Sequence, residues 1–284
     1  MKKGINALLV LAIMSAVSIS GEASARPVNP ATGWLYSVEM GGSNWKMEFP
    51  NDPYFLVGDT KSYPYKDTGL VVSDITQSDG DLMFVLGYGW PRFSLELMMG
   101  NRATVINWKE TLNGTHVKDI KAEGLGGTLY GLRTAGTVWK GDIFSLGLGA
   151  FLAVSPNWRV RVWETPVGGE QREYMSNVPL SSYDSALVTA EGGMDLTASW
   201  TLGAWVPWVA LDARKVSTSI GLQVRTAGVT LDGKDYSLAP EKGSGIGLGV
   251  DWRFTKSALL RLALEGGNPS AVFLSVNMCS GERL

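Results

Sequence analysis

Between residues 33 and 278 the sequence alternates apolar and polar residues at a period of two, stretch after stretch. In Phe93-Ser94-Leu95-Glu96-Leu97-Met98-Met99 the odd positions are apolar, and Ser94 and Glu96 face the other way. In Ile246-Gly247-Leu248-Gly249-Val250-Asp251-Trp252-Arg253-Phe254 one side reads Ile, Leu, Val, Trp, Phe and the other Gly, Gly, Asp, Arg. Phe144 to Leu152 follows the same rule, with Ser or Gly at most intervening positions. Side chains of a strand point alternately to its two faces, so this pattern demands strands with one apolar and one polar face. No segment beyond residue 25 carries a helical apolar stripe. Strands are expected at about 33–42, 81–89, 92–101, 125–139, 142–154, 185–200, 203–213, 244–254, 258–266 and 270–278. The segment 216–226 also alternates and is either a further membrane strand or the flank of a long surface hairpin.

The connections fall into two classes that alternate along the chain. Gly89-Trp90-Pro91, Lys140-Gly141, Trp200-Thr201-Leu202 and Thr255-Lys256-Ser257 are tight; 43–80, 102–124, 155–184 and 214–243 are long, and a last link at 267–269 is short. Tight turns at one rim and long loops at the other are the rhythm of a transmembrane barrel. With both termini at the tight-turn rim the strand number is even. Ten fits, and twelve follows if 155–184 or 214–243 holds another strand pair. The expected fold is therefore all-β: an antiparallel up-and-down transmembrane β-barrel of about ten strands. Alternating strands also build sandwiches and lipocalin-like soluble barrels, but a polar, Gly-rich second face cannot form a dry sandwich core. The apolar sides then face lipid.

Composition removes other classes. Apolar content is 45% and charged residues are 18% of the chain, which excludes a disordered chain. A net charge of -2 excludes a basic nucleic-acid binder, so no nucleic-acid partner is expected. The single cysteine, Cys279, excludes a disulfide framework. Lys2 and Lys3, the apolar run Ala7 to Ile19, and Ala23-Ser24-Ala25 read as a secretory signal peptide over 1–25, with cleavage after Ala25. A membrane anchor is the competing reading, and the shortness of the apolar run opposes it. Residues 26–284 form one barrel domain with long surface loops. Trp34, Trp90, Trp139, Trp200, Trp205, Trp252 and Phe254 cluster at the expected tight-turn rim, as Tyr36 does. Amphipathic rings collect at membrane–water interfaces, and a soluble sandwich has no reason to gather them at one end.

With this pattern the chain resembles the bacterial outer-membrane β-barrel proteins of the small OmpA-like or opacity-protein class. The sharpest piece is Gly245-Ile246-Gly247-Leu248-Gly249-Val250-Asp251-Trp252-Arg253-Phe254-Thr255-Lys256-Ser257-Ala258-Leu259-Leu260-Arg261-Leu262, which is similar to the penultimate hairpin of such barrels. The resemblance implies a closed barrel in the outer membrane of a Gram-negative cell, in contact with its lipid, and implies no single activity. Members usually end on an aromatic residue; here Val272, Leu274, Val276 and Met278 are followed by Cys279-Ser280-Gly281-Glu282-Arg283-Leu284.

If the apolar sides face lipid, Glu39, Glu96, Arg133, Glu191, Asp195, Asp212, Asp251, Arg253, Arg261 and Glu265 face the lumen. Gly126, Gly147, Gly149, Gly193, Gly245, Gly247 and Gly249 make room for them. These charges either line a narrow pore or pair into a structural network. Barrel hydrolases use a histidine base. The only one here, His116, lies in an expected loop near Asp119 and Glu123, with no serine within two residues. No catalytic residue, metal site or cofactor is assigned. Asp79/Asp81 and Asp232/Asp235 lack calcium-loop spacing and are expected in solvated turns. Loop 43–80 carries Tyr54, Tyr63, Tyr65, Asp52, Asp59, Asp67 and Asp74, and loop 155–184 carries Trp158, Trp163, Tyr174 and Tyr183. Such loops suit an extracellular protein or glycan partner, or simply seal the mouth. The expected role is non-enzymatic, a porin-like narrow pore or a cell-surface interaction protein. The rivals are a barrel enzyme acting on lipid or peptide and a soluble periplasmic β-barrel.

Overall fold

The computed structural model describes residues 31–48, 54–57, 61–64, 69–157, 160–173, 182–226, 229–240 and 243–281. The signal-peptide segment 1–25 lies outside these residues. The described chain is all strand and turn: β1 (Gly33–Glu48), β2 (Tyr54–Val57), β3 (Lys61–Pro64), β4 (Leu70–Trp90), β5 (Phe93–Leu112), β6 (Thr115–Lys140), β7 (Phe144–Asn157), β8 (Val160–Pro166), β9 (Arg172–Glu173), β10 (Ser182–Trp200), β11 (Trp205–Thr226), β12 (Val229–Pro240), β13 (Ser244–Arg253), β14 (Ala258–Asn268) and β15 (Ser270–Cys279).

Ten of these strands close into an antiparallel ring in the order β1, β4, β5, β6, β7, β10, β11, β13, β14, β15 and back to β1. From Val38 the ladder partners run through Phe84, Met99, Tyr130, Val154 and Ala190 to Ser217. The other way they run through Val276, Leu260 and Trp252 to Trp205, on the same strand. Ser217 and Trp205 are twelve residues apart (217 − 205), which is the stagger of the closed barrel. Ten strands with that stagger tilt by about 40° and give a backbone radius of about 10 Å. The first and last strands make the seam, where Ser280 N donates to the Trp34 carbonyl at 2.9 Å and Trp34 N donates to Ser280 Oγ at 2.8 Å.

The lower wall carries an apolar exterior. Phe84, Leu97, Leu152, Met194, Leu211 and Leu248 stand out from it, 57–68% exposed. This band, from Phe144 to Val154 on β7, is about 25 Å tall at that tilt, the height of a bilayer core. So large a continuous apolar surface is untenable in water, and the fold is a transmembrane β-barrel. At the tight-turn rim, rings touch around the band: Trp34–Tyr88 at 5.6 Å, Trp90–Phe93 at 5.5 Å, Phe144–Trp200 at 5.4 Å and Trp205–Trp252 at 5.8 Å between centroids. Trp139 stacks near Phe144 and Phe254 near Trp252 in the same girdle.

Above the band the strands do not stop, which corrects the expected long loops. Segment 102–124 is no loop: β5 and β6 continue as one hairpin to a two-residue Asn113-Gly114 turn, with φ of 50° and 81°. Asn-Gly suits that turn because both residues must enter the left-handed region. Residues 43–48 extend β1, 70–80 extend β4, and 216–226 extend β11 into a hairpin with β12. The hairpin reading of 216–226 therefore holds. Asp232 and Asp235 lie on β12 in ladder pairing with β11, not in a turn. β13, β14 and β15 span only the band; above them β12 closes the wall by pairing β11 on one side and Met47 and Glu48 of β1 on the other. β8 continues the wall along β6, from Gly124↔Val160 to Lys118↔Pro166.

Polarity inverts as the strands leave the band while the period of two continues. On β5 the outward residues change from Phe93, Leu95, Leu97 and Met99 to Asn101, Asn107 and Lys109. The inward ones change from Ser94 and Glu96 to Ile106 and Trp108. Trp45, Met47, Ile75, Ile106, Trp108, Ile120, Val162, Leu187, Val216, Ile220 and Leu238 then pack together inside the upper wall. A second inward cluster, including Met83, Met98, Leu129, Phe151, Trp208 and Phe273, crosses the barrel within the band.

Candidate functional site

Inward positions on the band strands fall on every second residue, and the polar face of the alternation therefore converges on the barrel axis. Near the tight-turn end, Arg133 Nη2 donates to both Glu39 oxygens at 2.8 and 3.0 Å and its Nε donates to Glu96 at 3.2 Å. Ser37 Oγ donates to Glu39 at 2.6 Å. Beside this group Arg261 grips both Asp251 oxygens at 2.9 Å, and Trp208 Nε1 donates to the same carboxylate at 3.3 Å.

Higher in the barrel, Arg102 holds Asp81 through two bonds of 2.8 and 2.9 Å and reaches Glu191 at 3.3 Å. Thr104 and Gln77 donate to Asp79 at 2.7 and 2.8 Å, and Thr218 donates to Gln77 at 2.7 Å. Arg214 donates to both oxygens of Glu265, lies 3.9 Å from Glu191, and sits 5.7 Å over the Phe151 ring. Glu191 thus joins the Arg102 and Arg214 groups into one network. In so buried a setting each arginine neutralises carboxylates that would otherwise be costly to desolvate.

The structure places Glu39, Glu96, Arg133, Glu191, Asp195, Asp212, Asp251, Arg261 and Glu265 in the interior, each under a tenth exposed. Arg253 is only half-buried, at the tight-turn end of β13, with Nε lacking a hydrogen-bond partner. Asp79 and Asp81, expected in a solvated turn, are buried network members; β4 begins at Leu70 and carries them inward. Arg102 and Arg214 lie one residue past the strand ends expected from the sequence, 101 and 213, on strands that continue. Continuing the alternation one step further on each strand is the signal that finds them.

The upper wall has its own ion pairs. Lys118 Nζ lies 3.1 Å from Glu164 and 3.4 Å from Glu110, and Arg172 Nε donates to Glu164 at 2.9 Å, tying β6, β8 and β9 together. Burial alone would raise the Glu164 pKa. The Lys118 hydrogen bond and the charges of Lys118 and Arg172 outweigh burial and hold it below the usual carboxylate value. A depressed pKa contributes stability above the unfolded-state value that is lost as pH falls through the folded one. Protection of the β8 amides, their exchange taken relative to the intrinsic rate at the same pH, is therefore expected to be high at neutral pH and to fall as acid protonates Glu164. Protection unchanged on acidification would contradict the pairing.

His116 sits beside the exposed hairpin turn, 3.3 Å from Asp119, with both side chains well exposed. Trp163 lies on β8, partly buried, and Asp74 pairs with Lys109 at 2.8 Å on the upper exterior. Among the described residues no group of three or more His, Cys, Asp or Glu is arranged to hold a metal ion.

No family model matches the sequence, and no curated protein matches it. Solved structures of outer-membrane proteins align with the chain at low similarity. The outer membrane protease OmpT from Escherichia coli aligns over 90% of this chain and 98% of its own, at 8% identity and a TM-score of 0.44. The outer membrane protein OprG from Pseudomonas aeruginosa aligns over 89% and 99%, at 9% identity and 0.43. The toluene transporter TodX from Pseudomonas putida aligns over 92% and 95%, at 10% identity and 0.38. OmpT is named as a protease and TodX as a transporter.

Proposed function

We propose that the chain is an integral outer-membrane β-barrel with a closed interior, serving without catalysis as a rigid cell-surface platform rather than as an open pore. The observation that carries this reading is the filled interior. Arginine–carboxylate networks and the Phe151–Trp208–Phe273 cluster cross the band, and the Trp45–Trp108–Ile106 cluster fills the wall above it. A ten-stranded barrel leaves little room beyond its side chains, and here large ones take that room. Placement in the outer membrane is supported by the closed wall, which leaves no strand edge in lipid, by the band and by the aromatic girdle. Partners of this platform are an extracellular protein or glycan, met by the upper hairpins.

Planar-bilayer recording on the refolded full chain tests the reading. The expected trace shows no unitary steps in molar KCl. Stable, reproducible steps would overturn the closed platform in favour of the narrow pore.

A further inference from the structure

On the outer wall Leu132 of β6, Leu152 of β7, Gly192 of β10 and Lys215 of β11 form one outward row, each the ladder partner of the next. Two depressions of about 600 and 780 Å³ meet on this row and share all four residues. Ligand pockets commonly measure about 300–1,000 Å³. The groove is cut by missing side-chain bulk. Gly192 contributes none, Ala150 and Ala213 stand in the next outward row towards the tight-turn rim, and Ala190 and Ser217 in the next row away from it. Leu152 and Met194, among the most exposed apolar side chains of the band, rise beside these small residues. A Cβ on Gly192 would lie 2.7 Å from Leu152 Cδ2, so this leucine leans over the space that the glycine leaves.

Lys215 stands at the head of the groove. On β11 the outward residues below it are Val209, Leu211 and Ala213, and those above it are Ser217 and Ser219. Its charge is therefore carried at the upper edge of the apolar band, the level of the lipid head groups. A lysine at such a boundary lays its stem on apolar surface and extends its ammonium to the head groups. The outward positions nearest to it in the ladder, Gly192, Ala213 and Ser217, are uncharged. A second copy packed on this wall would trap that charge against a neutral apolar face, which is costly. An anionic lipid meets both demands, with a chain for the groove and a phosphate for the lysine.

We propose that this groove holds one acyl chain of an anionic membrane lipid, with the lipid phosphate paired to Lys215. The groove supplies the fit and Lys215 the choice of head group. One basic side chain at an anionic lipid surface gives about a fivefold preference over a zwitterionic one.

Native mass spectrometry of the refolded full chain, released from mixed micelles holding equal phosphatidylglycerol and phosphatidylcholine, tests this. The wild type is expected to retain one lipid, phosphatidylglycerol about fivefold over phosphatidylcholine. Lys215→Gln should lose the preference and Lys215→Arg should keep it. Gly192→Phe should hold neither lipid, because the ring fills the groove. Lys140→Gln, at the tight-turn rim, should behave as the wild type does. Equal retention of the two lipids by the wild type, an undiminished preference in Lys215→Gln, undiminished retention in Gly192→Phe, or a lipid-free dimer would overturn the site. If the variants fail to fold, the wild type still decides through its preference. None of these readouts depends on whether the barrel conducts, so the site and the closed platform can fail separately.

Discussion

Replacing Arg133 with Met is expected to destabilise the barrel by about 3–5 kcal/mol, because it removes a buried cation that Glu39 and Glu96 share. Arg133 is 4% exposed and donates to both acids, at 2.8 to 3.2 Å. The triple variant Arg133→Met, Glu39→Gln, Glu96→Gln is expected to recover most of that loss, since removing the whole network removes the unpaired charges as well. Guanidinium unfolding in lipid vesicles measures both. A single variant as stable as the wild type would mean that water or protons reach these acids freely.

The second large effect is on the other face. Leu97 is 58% exposed and lies opposite Leu86 and Leu132 in the ladders, in the middle of the outer band. Leu97→Arg is expected to cost about 2–4 kcal/mol in a bilayer, the penalty of an arginine at the midplane of a membrane barrel. On a soluble barrel the same exposed substitution would be nearly neutral. Unfolding midpoints in vesicles therefore separate the membrane barrel from the soluble alternative, and a neutral result would favour the latter.

Much of the band was legible in the sequence because its two solvents enforce a strict code. Phe93, Leu95, Leu97 and Met99 had to face lipid, so Ser94 and Glu96 had to face inward. The tight turns were marked by residues that cannot continue a ladder, such as Pro91, and by tryptophans at the rim. What escaped was the upper wall. There the strands keep their period and reverse its phase, so that Ile106 and Trp108 point in while Asn107 and Lys109 point out. A search for apolar-out, polar-in alternation ends at residue 101 and declares a loop. Asp79 illustrates the consequence: next to a Gly and beside a second acid it reads as a turn, yet Thr104 and Gln77 bind it inside a continuous strand. The partners of each charge were also beyond the sequence, because the stagger that brings Arg133 to Glu39 is a property of closure.

The reversal of phase also fixes how deep the molecule rides. Asn44, Asn101, Thr128, Lys215 and Ser244 mark the height at which each outward row turns polar. The girdle from Trp34 to Trp252 marks the opposite shore. Sinking by one residue pair would drown the polar row in hydrocarbon, and rising by one would lift the indoles off their interface. Held between these two waterlines, the barrel has one draft, and the height of its upper hairpins above the lipid is set by sequence rather than by the membrane around it.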